Sequence, residues 1–179
     1  VVDNATLQLD GAISVTSALV GAKTFAFVAG SSESVTLGGI SVFDVANDGT
    51  MTNVFNQPDN ASLFLGSVDA LATATIAGTA YLFAVNIGEL AVTGGALSVF
   101  GVAADGTLIP FAAVSDGGIG GADPLKLARA CTVTTAVVGG DTFVIVGSQS
   151  DSGLSVFRVD TTGLTINGTA GNDIFDAIN

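Results

Sequence analysis

The chain has 179 residues, of which 16 are acidic and only four are basic, so its formal net charge is -12. This charge argues against nucleic acids and anionic membrane surfaces as partners, because both would repel the protein. The sequence contains no histidine, which excludes the usual general base and every Ser-His or Cys-His catalytic pair. Cys131 is the single cysteine, so no internal disulfide can form.

Apolar residues are divided into short runs that end in Gly, Asn, Asp or Ser, which is typical of strands and turns. No run approaches the roughly 20 apolar residues of a membrane-spanning helix. We therefore expect an all-β chain without membrane insertion. The first predicted strands are 12–20, 68–76 and 131–138, and the second are 24–29, 80–85 and 142–146.

The third predicted strand of each unit carries a repeated pattern. Three stretches, 39–51, 96–108 and 153–164, share a Ser-Val-Phe core followed by an Asp-Gly or Thr-Gly turn. Phe43, Phe100 and Phe157 mark a spacing of 57 residues in both intervals. The fourth strands begin after the turns, at Thr50, Thr107 and Leu164. A fixed period of this size predicts a repeat architecture, here of four-stranded antiparallel meanders.

Side chains in the third strand predict how the meanders pack. Ile40 and Val42 point to one face, and Phe43 and Val45 point to the other. A sheet that is apolar on both faces is typical of burial between two neighbours. The stacked blades of a β-propeller satisfy this requirement.

The period divides the chain into about three blades. The predicted boundaries are 1–66 for blade 1, 67–123 for blade 2, 124–166 for blade 3 and 167–179 for a different repeat. Val1 is expected to belong to the tail of a preceding unit. Closed propellers usually have about 4 to 8 blades. We therefore expect these blades either to be part of a larger ring or to be completed by self-association.

The pattern Ser-Val-Phe-x-Val-x-x-x-Gly-x-Leu resembles the blades of lactonase-like seven-bladed propellers. It is also similar to propeller repeats in large secreted bacterial proteins of the hemolysin-type calcium-binding (RTX) class. The resemblance covers residues 1 to about 165. It implies a secreted, extracellular or cell-surface bacterial protein, and the lactonase-like name implies hydrolysis of a sugar lactone.

Residues 168–176 resemble one RTX nonapeptide, G-G-x-G-x-D-x-U-x. The resemblance implies calcium as the ligand and makes Gly168, Gly171, Asp173 and Asp176 the candidate metal residues. Glycines expose backbone carbonyls, and carboxylates supply the hard oxygen that Ca²⁺ prefers. A β-roll site needs ligands from successive turns, so the calcium site is incomplete within this chain. The alternative interpretation is a simple Gly-Asn-Asp turn.

Two other groups of residues have alternative interpretations. Asp48 and Asp105 either bind cations or, as the preferred chemistry of a tight hairpin suggests, form Asp-Gly turns. Cys131 is either an inert thiol in an apolar strand or a nucleophile activated by Arg129, which would share its face of the strand.

These observations predict a non-catalytic structural, adhesive or assembly scaffold from a secreted calcium-binding protein. The alternative is a lactonase-type hydrolase or a carbohydrate-binding propeller, so enzymatic activity is left open. The expected partners are further blades of the same protein or a second copy, with a carbohydrate or cell-surface ligand as a further candidate. An exposed apolar face on a blade would promote such association.

Overall fold

The computed structural model describes residues 1–2, 4, 6–30, 38–88, 94–116 and 125–160, and the backbone of residues 174–175. All regular structure in these residues is β-structure, as the sequence predicts. Sheet 1 contains β1 (Ala12–Val20), β2 (Lys23–Gly30), β3 (Gly39–Val45) and β4 (Met51–Pro58). Sheet 2 contains β5 (Val68–Ile76), β6 (Thr79–Asn86), β7 (Ala96–Val102) and β8 (Leu108–Ser115). Sheet 3 contains β9 (Ala130–Val138), β10 (Asp141–Ser148), β11 (Gly153–Val159) and β12 (Ile174–Phe175).

Each sheet is a meander. From β1 to β11, strands that follow one another within a sheet pair antiparallel. The first and second strands of every sheet agree with the predicted bounds to within two residues, and β4 and β8 each begin one residue after the predicted start. Sheet 3 differs from the expected pattern, because β12 pairs parallel with β11, with Val156 opposite Ile174. The fourth strand that the sequence predicts from Leu164 lies outside the described residues.

A β-bulge occurs at the same place in the pairing of the first and second strands of every sheet. The bulged residue is the second of its strand in each case: Ile13, Asp69 and Cys131. A bulge bends its strand and increases the local twist. The three sheets therefore share a local distortion as well as a strand order.

The core consists of two apolar clusters, one on each side of sheet 2. The first joins Phe25, Phe27, Ile40 and Val42 of sheet 1 to a set in sheet 2 that includes Leu71, Leu82 and Phe100. The second joins Phe83, Leu97 and Val99 of sheet 2 to Val144, Val146 and Phe157 of sheet 3. Sheet 2 is thus apolar on both faces and buried on both, as expected for a sheet between two neighbours.

We call the face that a sheet turns to the preceding sheet its front face, and the face toward the following sheet its back face. Leu82 and Phe100 lie on the front face of sheet 2, while Phe83 and Val99 lie on its back face. Because side chains alternate along a strand, equivalent positions in sheets 1 and 3 belong to the corresponding faces.

The first strands of the three sheets run beside one another. The Leu71 amide donates to Ser14 Oγ at 3.0 Å, and Thr73 Oγ1 donates to the Ser17 carbonyl at 2.9 Å. Thr135 Oγ1 repeats the second contact one sheet further on, donating to the Thr73 carbonyl at 3.1 Å. Within the described ranges the sheets form an open series and do not close on themselves. No helix in these ranges has the length and apolar character needed to cross a membrane.

Candidate functional site

The serine of the Ser-Val-Phe motif holds the segment that leads into each sheet. Ser41 Oγ accepts from the Gln8 amide at 2.7 Å and donates to Asn56 Oδ1 at 2.8 Å. In sheet 2, Ser98 Oγ donates to the Leu63 carbonyl at 2.5 Å. All three motif serines are buried: Ser41, Ser98 and Ser155.

In sheet 3, Ser155 Oγ accepts from the Lys126 amide at 3.0 Å and donates to the Lys126 carbonyl at 3.2 Å. A buried hydroxyl must find such partners, because leaving a buried polar group unpaired is costly. The motif serine therefore acts as a clamp between the third strand and the entering segment. This role was not predicted from the sequence, although serine recurs at one position among apolar residues.

An aspartate after the fourth strand holds the same segment from the other side. Asp59 Oδ1 accepts from the Leu65 amide, and Asp116 Oδ2 accepts from the Leu127 amide at 3.2 Å. Asp116 is only 5% exposed. Leu65 and Leu127 are fully buried in the first and second apolar clusters. Each aspartate thus ties the end of one sheet to the start of the next.

Asp48 and Asp105 occupy the turns between third and fourth strands, as the turn interpretation predicts. Asp48 Oδ1 accepts from the Thr50 amide, and Asp105 Oδ1 accepts from the Thr107 amide, both at 2.9 Å. These hydrogen bonds stabilise the ionised carboxylates and lower the pKa of both aspartates. The carboxylates serve the turns, and nothing in the described surroundings brings them together at a shared cation site.

The second turn also contacts the preceding sheet. Gly106 has φ +91°, and a Cβ added there would lie 2.8 Å from Val54 Cγ2 and 2.9 Å from Phe25 Cε1. The turn of sheet 2 therefore packs tightly on the back face of sheet 1. Lys23 is close enough to lower the pKa of Asp105 further, beyond the effect of the Thr107 hydrogen bonds. Lys23 also forms an ion pair with Asp44 at 2.7 Å.

Cys131 and Arg129 do not form the paired arrangement that the nucleophile hypothesis requires. Arg129 precedes β9 in a turn with φ +55°, so it does not share a strand face with the thiol. Its charge acts on Asp69, whose pKa is raised chiefly by burial and lowered in part by Arg129. Cys131 Sγ lies 3.8 Å from the Gly147 carbonyl and is half-buried. This environment fits a structural thiol at the bulge of β9.

The candidate calcium residues Gly168, Gly171, Asp173 and Asp176 lie outside the described residues. Among the residues that are described, no group of three or more Cys, Asp or Glu side chains is placed to hold a metal ion. No family model matches the sequence, and comparison with curated proteins gave no significant match.

What the described residues form is a set of joints between sheets. Each joint combines a serine clamp, an aspartate tie, an apolar face and, at Gly106, a glycine turn fitted against an aromatic ring. Such an arrangement packs each sheet against the next one. Its chemistry is burial and hydrogen bonding.

Proposed function

We propose that this chain is a non-catalytic structural module that acts as an assembly scaffold in an extracellular protein. The observation that carries the proposal is the double burial of sheet 2, whose Leu82 and Phe83 are both fully buried on opposite faces. A sheet built in this way requires a neighbour on each side. The serine clamp recurs in all three sheets and the aspartate tie at both junctions between them, so the module is suited to packing in series.

The same observations support a propeller-like arrangement of the sheets. In a propeller, four-stranded antiparallel blades stack face to face around an axis, with short protected edges. The side-by-side placement of β1, β5 and β9, with its repeated Thr73 and Thr135 hydrogen bonds, fits strands near such an axis. We propose that these sheets are blades, and that further blades or a second copy extend the series.

The calcium and secretion predictions remain part of this proposal. The nonapeptide-like segment supports a tail in which Gly168, Gly171, Asp173 and Asp176 contribute to a calcium site completed by further repeats. Calorimetric titration with Ca²⁺ tests it. We expect weak binding that an Asp173→Ala variant loses, and equal heats for both proteins would contradict the tail assignment.

Light scattering over a range of protein concentrations tests the scaffold function. We expect the mass to rise with concentration in the presence of EGTA as well as Ca²⁺, because the apolar faces and not the tail drive association. A monomer at all concentrations would overturn the self-assembly component. Hydrolysis of sugar lactones above the uncatalysed rate would overturn the non-catalytic assignment and support the hydrolase alternative.

A further inference from the structure

On its first strand, the front face of sheet 1 is exposed, whereas the equivalent strands of sheets 2 and 3 are covered. Further across the same face, Ala26 and Phe43 are buried. The fourth residue of each first strand shows the difference most clearly. Leu71 is 8% exposed in the cluster with sheet 1, and Val133 packs against sheet 2, but Val15 is 68% exposed. Leu9 is likewise only half-buried, whereas its counterparts Leu65 and Leu127 are fully buried.

The back face of sheet 3 shows the complementary difference. The second residue of the third strand is Ile40 in sheet 1 and Leu97 in sheet 2, with exposures of 0% and 1%. Both pack against the following sheet. The equivalent Leu154 in sheet 3 is 61% exposed. Exposed apolar residues that are contiguous with a packed core indicate an interaction surface.

We propose that the front face of sheet 1 in one copy of the chain docks, through β1, on the back face of sheet 3 in a second copy. This inference rests on the proposed scaffold function and names its partner and surface. The contact continues the interface already present twice within the chain, so Val15 would take the environment of Leu71, and Leu154 that of Leu97. It is a heterologous, head-to-tail contact, which closes a ring or extends into a filament.

The turn after β3 supports the fit. Gly49 is the counterpart of Gly106 and has a similar φ of +84°, but a Cβ added at Gly49 would meet nothing within 4 Å. In the docked pair, Gly49 would approach the aromatic ring of Phe143, which is the counterpart of Phe25. The open space next to Gly49 therefore corresponds to the space next to Gly106 that sheet 1 occupies within the chain.

A mixing experiment with two variants tests the proposal. Val15→Asp places a charge on the front face, and Leu154→Asp places one on the back face; both side chains are exposed, so the fold should be retained. By light scattering in EGTA, each variant alone should be monomeric. An equimolar mixture should form a dimer, because one copy keeps an intact back face and the other keeps an intact front face.

A matched pair of glycine variants gives a second readout. Gly49→Asn adds a side chain in the proposed contact. Gly21→Asn adds one in the turn between β1 and β2, where a Cβ meets nothing within 4 Å; the equivalent turn of sheet 2 is also open at Gly78. Asn tolerates positive φ better than most residues. We expect Gly49→Asn to weaken association at least tenfold, and Gly21→Asn to leave it unchanged.

The outcomes separate the two proposals. If the wild type assembles and either single variant still does so alone, a different surface is used, and the head-to-tail inference is wrong while the scaffold function stands. Equal association of Gly49→Asn and Gly21→Asn leads to the same conclusion. If the wild type is monomeric at all concentrations, both proposals are wrong for this chain, and the exposed faces belong to further sheets.

Discussion

Replacing Ser98 by alanine tests whether the serine clamp holds the chain together. The Ser98 side chain is 1% exposed, and its hydroxyl is 2.5 Å from the Leu63 carbonyl, which belongs to a residue only 8% exposed. Ser98→Ala removes the donor and leaves that carbonyl with no water to replace it. An orphaned buried acceptor costs about 1–3 kcal/mol. We expect the free energy of unfolding to fall by this amount.

The assay is urea unfolding followed by circular dichroism, with a thermal scan beside it. A loss of about 2 kcal/mol corresponds to a decrease in Tm of about 4–8 °C for a chain of this size. Ser115→Ala is the matched control, because Ser115 is exposed at the end of β8 in the same sheet. If both variants unfold at the same urea concentration, the hydroxyl contributes nothing and the clamp argument fails.

Three further predictions address the joints. Phe100→Ala should lower the free energy of unfolding by about 3–5 kcal/mol because the ring is fully buried between sheets, whereas exposed Ile109→Ala should change it by under about 1 kcal/mol; chemical denaturation compares them. Burial raises the pKa of Asp69, so its ionisation destabilises the fold as pH rises above the ordinary value of 3.8. Asp69→Asn should therefore be more stable relative to wild type at pH 7 than at pH 3, and a pH-independent difference would contradict this. Gly106→Asn should lower Tm more than Gly21→Asn, because only the first side chain meets the preceding sheet; equal Tm values would argue against tight packing at that turn.

Most of the strand pattern was predictable from the sequence because turn residues separate the strands of each repeat. The turn residues at Asp48 and Asp105 and the 57-residue spacing fix where strands end, and alternation within β3 shows that both faces are apolar. The parallel pairing of β12 with β11 was not predictable, since a two-residue strand carries no periodicity of its own.

The joints between sheets could not be predicted from the sequence either, for a different physical reason. The Ser98 bond to Leu63 spans 35 residues and the Asp116 bond to Leu127 spans 11, and each joins a side chain to a backbone atom. No local propensity specifies such a contact. A serine in a strand and an aspartate after one have the same sequence pattern as ordinary surface and turn residues. Only their burial in the folded chain distinguishes the joint residues from these.

The aspartate ties have a consequence for how this repeat tolerates change in length. Asp59 and Leu65 are six residues apart, while Asp116 and Leu127 are eleven apart, yet the same bond joins each pair. Lengthening a loop from six to eleven residues adds only about 0.5 kcal/mol of closure entropy. The same tie therefore forms across connections of different length. We expect a foreign peptide inserted between Asp116 and Leu127 to have little effect on stability.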